Sequence, residues 1–291
     1  SAFRVEQTQL QVNYDSARAD IDLMAKIDAQ RNLSIDATLD PFSSPQRLTL
    51  NAFDATLDES KWELLQTASV TLGDAYRVNG LLLYSDDQQI AADGRIDPDG
   101  TQSLVATIER FEVASISDLA GFDGLGGTLN GTIGISGPAH APVWSGNLNM
   151  DVVSNDEPVG DLDLELSYDS LRLDTDATLT HSSGRSLQAG GSLPVDLRLD
   201  ATDDVDISAE PVDLAVSGSR FPIDWVDPFL DPALITDPTG LLSADLNVKG
   251  TLGTPELSGS ATLEDGRVSV TDLDVRYRNA SASLRFSGEE I

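Results

Sequence analysis

The sequence predicts an all-β fold built from repeated antiparallel strand units. Three observations predict it. Apolar and polar residues alternate with period 2 over most of the chain, turn-forming residues interrupt the alternation at short intervals, and one glycine-framed segment recurs at an offset of about 113 residues. The first copy reads Gly127-Thr-Leu-Asn-Gly-Thr-Ile-Gly-Ile-Ser-Gly137, then Pro142-Val-Trp-Ser-Gly146. It aligns without a gap on Gly240-Leu-Leu-Ser-Ala-Asp-Leu-Asn-Val-Lys-Gly250, then Pro255-Glu-Leu-Ser-Gly259. A duplicated strand–turn–strand unit implies a repeat architecture, in which each unit buries its apolar face against its neighbours.

Taken in chain order, the alternation opens with Ile21-Asp-Leu23 and Leu33-Ser-Ile-Asp-Ala-Thr-Leu39. It continues in Leu162-Asp-Leu-Glu-Leu-Ser-Tyr168, Leu171–Leu179, Val195-Asp-Leu-Arg-Leu-Asp-Ala201 and Val212-Asp-Leu-Ala-Val216. It closes in Val268-Ser-Val270, Leu273-Asp-Val-Arg-Tyr277 and Ala282–Phe286. Successive strand side chains point to opposite faces, so each segment has one apolar and one charged face. Turns are expected at Asp93-Gly94, Asp97-Pro-Asp-Gly100, Ser183-Gly184, Gly190-Gly191, Asp203-Asp204 and Asp265-Gly266. In Gly126-Gly127 and Gly131-Thr-Ile-Gly134 the glycines are expected to permit turns, bulges or close strand approach.

Two segments break the pattern, Phe111–Ala120 and Phe221–Leu230. Their leading phenylalanines precede the first glycine of the following repeat by 16 and 19 residues. Each predicts a turn or two of helix, with Ser115, Ser117 or Asp224 as cap candidates and apolar residues lying against the sheet. These landmarks divide the chain into residues 1–110, an N-terminal β-repeat segment; 111–220, a β-repeat with a short helix at 111–120; and 221–291, a second, truncated copy. Both ends read as cut, and the chain reads as a fragment of a longer protein.

Composition narrows the function. Forty-nine acidic against 18 basic residues give a formal charge of −31, which repels nucleic acid and anionic headgroups and argues against phosphate binding. Lysine occurs only at Lys26, Lys61 and Lys249. A high-salt source and simple like-charge repulsion between molecules both account for the acid. The absence of cysteine excludes disulfides, thiolate metal sites and a cysteine nucleophile. No apolar run approaches the roughly 20 residues that span a bilayer.

Chemistry-bearing constellations are sparse. His140 and His181 sit beside turns, without a second histidine at ligand spacing, and read as surface residues. The carboxylates alternate along strands as a solvated face rather than converging on a cleft. Asp97–Gly100 is a poor match to a calcium loop and is accounted for as a turn. No phosphate loop or nucleophile elbow occurs. No enzyme, cofactor or metal is expected. The remaining candidates are aliphatic: Leu129, Ile133 and Ile135 on one strand face, Leu162, Leu164 and Leu166 on another, and Leu242, Ala244, Leu246 and Val248 in the second repeat copy. Periodicity alone fits either the core of a closed β-sandwich or an accessible aliphatic surface.

The recurring frame Gly-x-Leu…Gly-(x)4-Pro-x-(Leu/Trp)-Ser-Gly, at Gly127–Gly146 and Gly240–Gly259, resembles the TamB family of AsmA-like and bridge-like lipid transfer proteins. Ser260–Val270, Leu273–Tyr277, Phe221-Pro-Ile-Asp-Trp225, Leu57–Leu64 and Asp93-Gly-Arg-Ile96 are similar to that family too. The family's membrane anchor and terminal outer-membrane contact segment are not expected within this chain. The resemblance implies an elongated antiparallel sheet curled into an open trough, a β-taco, with short helical plugs. It implies a periplasmic lipid conduit in a Gram-negative envelope, anchored in the inner membrane, that carries phospholipid acyl chains to the outer membrane and serves outer-membrane biogenesis. A TamA-like outer-membrane barrel is the implied partner. Leu129, Ile133, Ile135, Leu162, Leu164, Leu166, Leu242, Leu246 and Val248 would line the groove. The alternative is a structural or adhesive β-sandwich array with a filled core and no lipid. A membrane barrel is a third reading, disfavoured by the 5% aromatic content and many shorter strands.

Overall fold

Alternation becomes strand along nearly the whole chain. The computed structural model describes residues 5–117, 120–199, 205–231, 233–271 and 275–290. It is 72% strand and 4% helix, with 18 strands in one sheet. Among the described residues neighbouring strands pair antiparallel, as the sequence predicts. The chain forms two compact units.

The first unit comprises Ser1–Gly121, Leu129–Ser145 and Arg198–Ala201. It holds β1 (Gln7–Tyr14), β2 (Ala19–Lys26), β3 (Arg31–Asp40), β4 (Gln46–Leu57), β5 (Ser60–Leu64), β6 (Ala68–Leu72), β7 (Tyr76–Ser85), β8 (Gln88–Ile96) and β9 (Thr101–Glu112), then helix α1 (Ala114–Ser117). β5 and β6 both lie between β4 and β7, as two pieces of one broken strand. Register carries one apolar row across eight strands: Tyr14, Ala19, Leu39, Leu48, Val70, Val78, Gly94 and Leu104. The core of this unit is Ala55, Trp62 and Phe111, with Leu83, Ile108 and Leu129 among the side chains packed on it. The Trp62 and Phe111 rings lie 5.7 Å apart.

β10 (Leu125–Pro138) and β11 (Val143–Ser154) contribute residues to both units. The second unit continues with β12 (Glu157–Asp169), β13 (Arg172–His181), β14 (Ser186–Pro194), β15 (Asp213–Pro222), a 3-10 helix (Asp224–Phe229), β16 (Ile235–Thr251), β17 (Thr254–Val270) and β18 (Val275–Glu290). Its core gathers Val152, Val159, Leu179 and Phe221.

The sequence repeat is realised as a backbone device. Gly137 and Gly250 occupy equivalent places at φ +81° and +96°, each facing a carbonyl across its hairpin, Ala141 or Thr254. Arg110 and Arg220 both adopt φ +50°, immediately before the buried Phe111 and Phe221. The Arg110 amide donates to Asn130 Oδ1 (2.8 Å) and the Arg220 amide donates to Ser243 Oγ (3.0 Å). Asn130 and Ser243 are aligned positions of the two sequence copies, 113 residues apart. The left-handed arginine interrupts the ladder, as the register shift between Gly218 and Phe221 records, and turns the next side chain into the core.

Three turn expectations are corrected. Asp93-Gly94, Gly190-Gly191 and Asp265-Gly266 lie inside β8, β14 and β17. Gly94 and Gly191 take φ +138° and +132°, with a neighbouring strand's carbonyl 2.0 Å from where a Cβ would be. Asp265 takes φ +53° at a register shift. These pairs mark close approach and bulges, so strands run through them, to 17 residues in β17. Asp97–Gly100 and Ser183-Gly184 do turn, whereas Asp203-Asp204 lies outside the described residues.

Val195–Ala201 is also corrected: its described part, 195–199, is not strand. Pro194 ends β14, and the following amides bond singly, Val195 to the Leu171 carbonyl, Leu197 to Tyr168 Oη and Leu199 to the Ala139 carbonyl. Leu273-Asp274 lies outside the described residues. The cap candidates do not cap. Ser115 and Ser117 donate backwards to the Glu112 and Ala114 carbonyls, and Asp224 is the first residue of a 3-10 helix preceded by Ile223.

The aliphatic face as candidate functional site

Seven strands of the second unit place their apolar residues in register. One row runs Leu164, Ala177, Ala189, Val216, Leu246, Gly259 and Phe286. A second runs Leu166, Thr175, Gly191, Leu214, Val248 and Leu257. A third runs Leu162, Leu179, Leu187, Gly218, Ala244, Ala261 and Leu284. All share one face, because an unbroken antiparallel register keeps cross-strand partners on the same side.

Five of the predicted lining residues, Leu162, Leu164, Leu166, Leu246 and Val248, thus meet on three adjacent rows. Leu242 lies beyond the β15 bulge, paired with Phe221 and Leu263. Leu129, Ile133 and Ile135 belong to the first unit, on one face of β10, with Leu129 packed on the Trp62–Phe111 core. All nine are half-buried, and none is fully buried or exposed. Leu214, Val216, Leu257 and Leu263 extend the rows and escaped the sequence reading as candidates. Their alternation was visible, but only register shows that they join the same face.

Small residues shape this surface. A Cβ on Gly146 would come 2.9 Å from Leu166 Cγ, and one on Gly218 would come 2.9 Å from Leu187 Cδ1. Each leucine therefore leans over a glycine instead of standing free.

Aromatic residues cover part of the face. Phe221 has no exposed surface. Trp225 meets it edge-on at 6.3 Å, Phe229 meets Trp225 at 5.8 Å, and Phe122 meets Phe229 at 5.4 Å. His181 packs its ring edge on Phe221 at 5.9 Å and is bonded through Nδ1 to Ser183. Leu162, Leu179 and Leu187 join this cluster, so the plug covers their part of the row. The Leu164 and Leu166 rows lie next to it.

The reverse face is charged. Glu165 stands directly opposite Asp176, with Asp163 and Asp174 nearby on the same side. Lys249 and Asp213 approach only to 3.8 Å. In the first unit, Glu63 is held below its usual range by the Lys61 ammonium beside it and then by Tyr84, whose hydroxyl donates to Glu63 Oε2 at 2.8 Å. Lys61 is exposed, and Glu63 and Tyr84 are half-buried. Among the described residues no group of three or more histidine, aspartate or glutamate side chains is placed to hold a metal ion, and no helix is long and apolar enough to cross a membrane.

A repeated antiparallel sheet with one aliphatic and one acidic face defines the class. A family model described as the TamB C-terminal domain matches residues 77–290, well over half of the chain. The protein belongs to the TamB family, which is associated with lipid and protein assembly in the cell envelope and is not a family of enzymes. Comparison with curated proteins returns no match, and comparison with solved structures returns none either.

Proposed function

We propose that this chain is a segment of a periplasmic lipid conduit, which receives phospholipid acyl chains on its aliphatic face between the inner and outer membranes. The observation that carries the reading is the half-burial of every residue in the Leu164 and Leu166 rows whose side chain is aliphatic and larger than alanine: Leu164, Leu166, Leu214, Val216, Leu246, Val248 and Leu257. In a filled sandwich core such residues pack to crystal-like density and lose nearly all contact with solvent.

Transferring a methylene from water to an apolar surface is worth about 0.8 kcal/mol, so a whole acyl chain gains on the order of 10 kcal/mol. That holds a tail without a specific headgroup contact. Adjacent rows of leucine and valine offer nearly equivalent resting places, which lowers the barrier to sliding. The acidic reverse face keeps an exposed aliphatic surface from driving self-association. Delivery at the outer membrane would involve a TamA-like barrel partner.

Native mass spectrometry of the purified chain tests this. Phospholipid should travel with the wild-type protein and be lost from Leu246→Asp and Ile133→Asp while the β-sheet circular dichroism is kept. A lipid-free, folded wild-type monomer would overturn the proposal.

A further inference from the structure

The net charge argues against anion binding, but the distribution of the basic residues does not. Of the 18 basic residues in the chain, six gather in two groups of three. Arg47, Arg77 and Arg95 line a recess of about 870 Å³ in the first unit. Arg267, Arg276 and Arg278 line one of about 620 Å³ in the second.

Register makes the first group unusual. Arg77 stands directly opposite Arg95, Thr71 stands opposite Arg77 on the other side, and Arg47 stands opposite Thr71. Like charges facing each other across a ladder are destabilising. Arg95 is offset by its ion pair with Asp97, but its Nε is buried without a partner. Arg47 and Arg77 have no ion-pair partner among the described residues, although Asp74 also lines the recess. Thr71 between them is short, leaving room above the strand, and Ser44 also lines the recess, whereas the Ser43 hydroxyl donates to the Asp40 carbonyl at 3.0 Å.

The second group gathers its arginines without facing two of them across the ladder. Arg276 stands opposite Ser269, to whose Oγ its Nε donates at 3.3 Å, and Arg267 and Arg278 adjoin the Val268–Tyr277 pair. Among the described residues none of the three arginines has an ion-pair partner, and Asp237 is the carboxylate that lines the recess. Both groups occupy strand ends, on the face opposite the apolar rows: Val70 and Val78 flank Thr71 and Arg77, and Val268 and Tyr277 flank the second set.

We propose that each recess is a binding site for a phosphate group, of an ester or of a lipid headgroup. Guanidinium forks match phosphate oxygens bidentately, and an anion between facing arginines removes their repulsion. Within a Debye length of about 8–10 Å the local cations outweigh distant carboxylates, which salt screens. The inference does not rest on acyl binding, since the arginines lie on the other face.

Calorimetric titration of the full chain with inorganic phosphate, and separately with dihexanoyl phosphatidylglycerol kept monomeric, tests it. Phosphate should bind, and Arg47→Glu/Arg77→Glu combined with Arg267→Glu/Arg278→Glu should weaken it at least tenfold. The charge-neutral Gln variants should weaken it less, and Leu246→Asp should leave it unchanged even if that change abolishes acyl binding. Equal weakening for the lipid assigns the sites to headgroups, whereas weakening for phosphate alone assigns them to soluble phosphate esters. No binding by the wild type, or binding untouched by the charge reversals in a folded chain, overturns the proposal.

Discussion

Phe221 rests wholly buried among Val152, Val159 and Leu179, with Trp225 and His181 against its ring. Removing such a ring leaves a void that a sheet held by neighbouring strands cannot close. Phe221→Ala should therefore cost roughly 3–5 kcal/mol, read as a lower urea midpoint for the unfolding of the second unit. A loss under about 1 kcal/mol would mean that the site collapses freely and that the plug is not fixed. Phe111 and Phe221 were legible in the sequence as the heads of the two pattern-breaking segments. Arg110 and Arg220 were not, although each Arg-Phe pair was in plain view. A left-handed arginine contradicts local preference, and it persists because Asn130 or Ser243 accepts its amide hydrogen from another strand.

Strand identity was the most legible feature among elements, because period 2 is local. Strand length was not. Gly-containing pairs such as Asp93-Gly94 serve equally as hairpin turns or as bulges, and what decides is the partner strand, here Leu104 and the neighbouring Ser103 carbonyl beside Gly94. The failure at Val195–Ala201 has a related cause: alternation needs a continuous edge to pair with, and the amides of Val195, Leu197 and Leu199 go to three separate acceptors. On the charged face, β12 and β13 set Glu165 against Asp176. Glu165→Lys should stabilise the chain by about 0.2–1 kcal/mol at low ionic strength. The gain should shrink in 1 M salt, where charges are screened within about 3 Å. Thermal unfolding at the two salt concentrations checks this, and an unchanged or lowered midpoint at low salt would contradict it.

Across the molecule, few aliphatic side chains are buried. Among the described residues fourteen apolar side chains make up the buried core, and most of the remainder on the apolar face are half-exposed. Composition puts the apolar fraction at 40%, a little below the usual globular value, but composition does not say which of those residues close on one another. The nine candidate residues were legible as one-sided strands. Their division, with five on three adjacent rows, Leu242 beyond a bulge and three in the other unit, was not, because it depends on register over more than 80 residues. The seven strands β12–β18, spaced about 4.8 Å apart, carry the rows over roughly 29 Å of sheet. A bilayer's hydrocarbon core is about 30 Å for two leaflets, so one row could hold about two acyl chains end to end.

The most direct measurement of that capacity places a benzoylphenylalanine crosslinker at one position at a time in the full chain, with phosphatidylethanolamine–phosphatidylglycerol vesicles present. Probes at Leu164 and Leu246 should capture phospholipid acyl chains, and probes at the adjacent Asp163 and Asp245 should not. Equal capture from both faces, or none from the aliphatic one, would contradict the account.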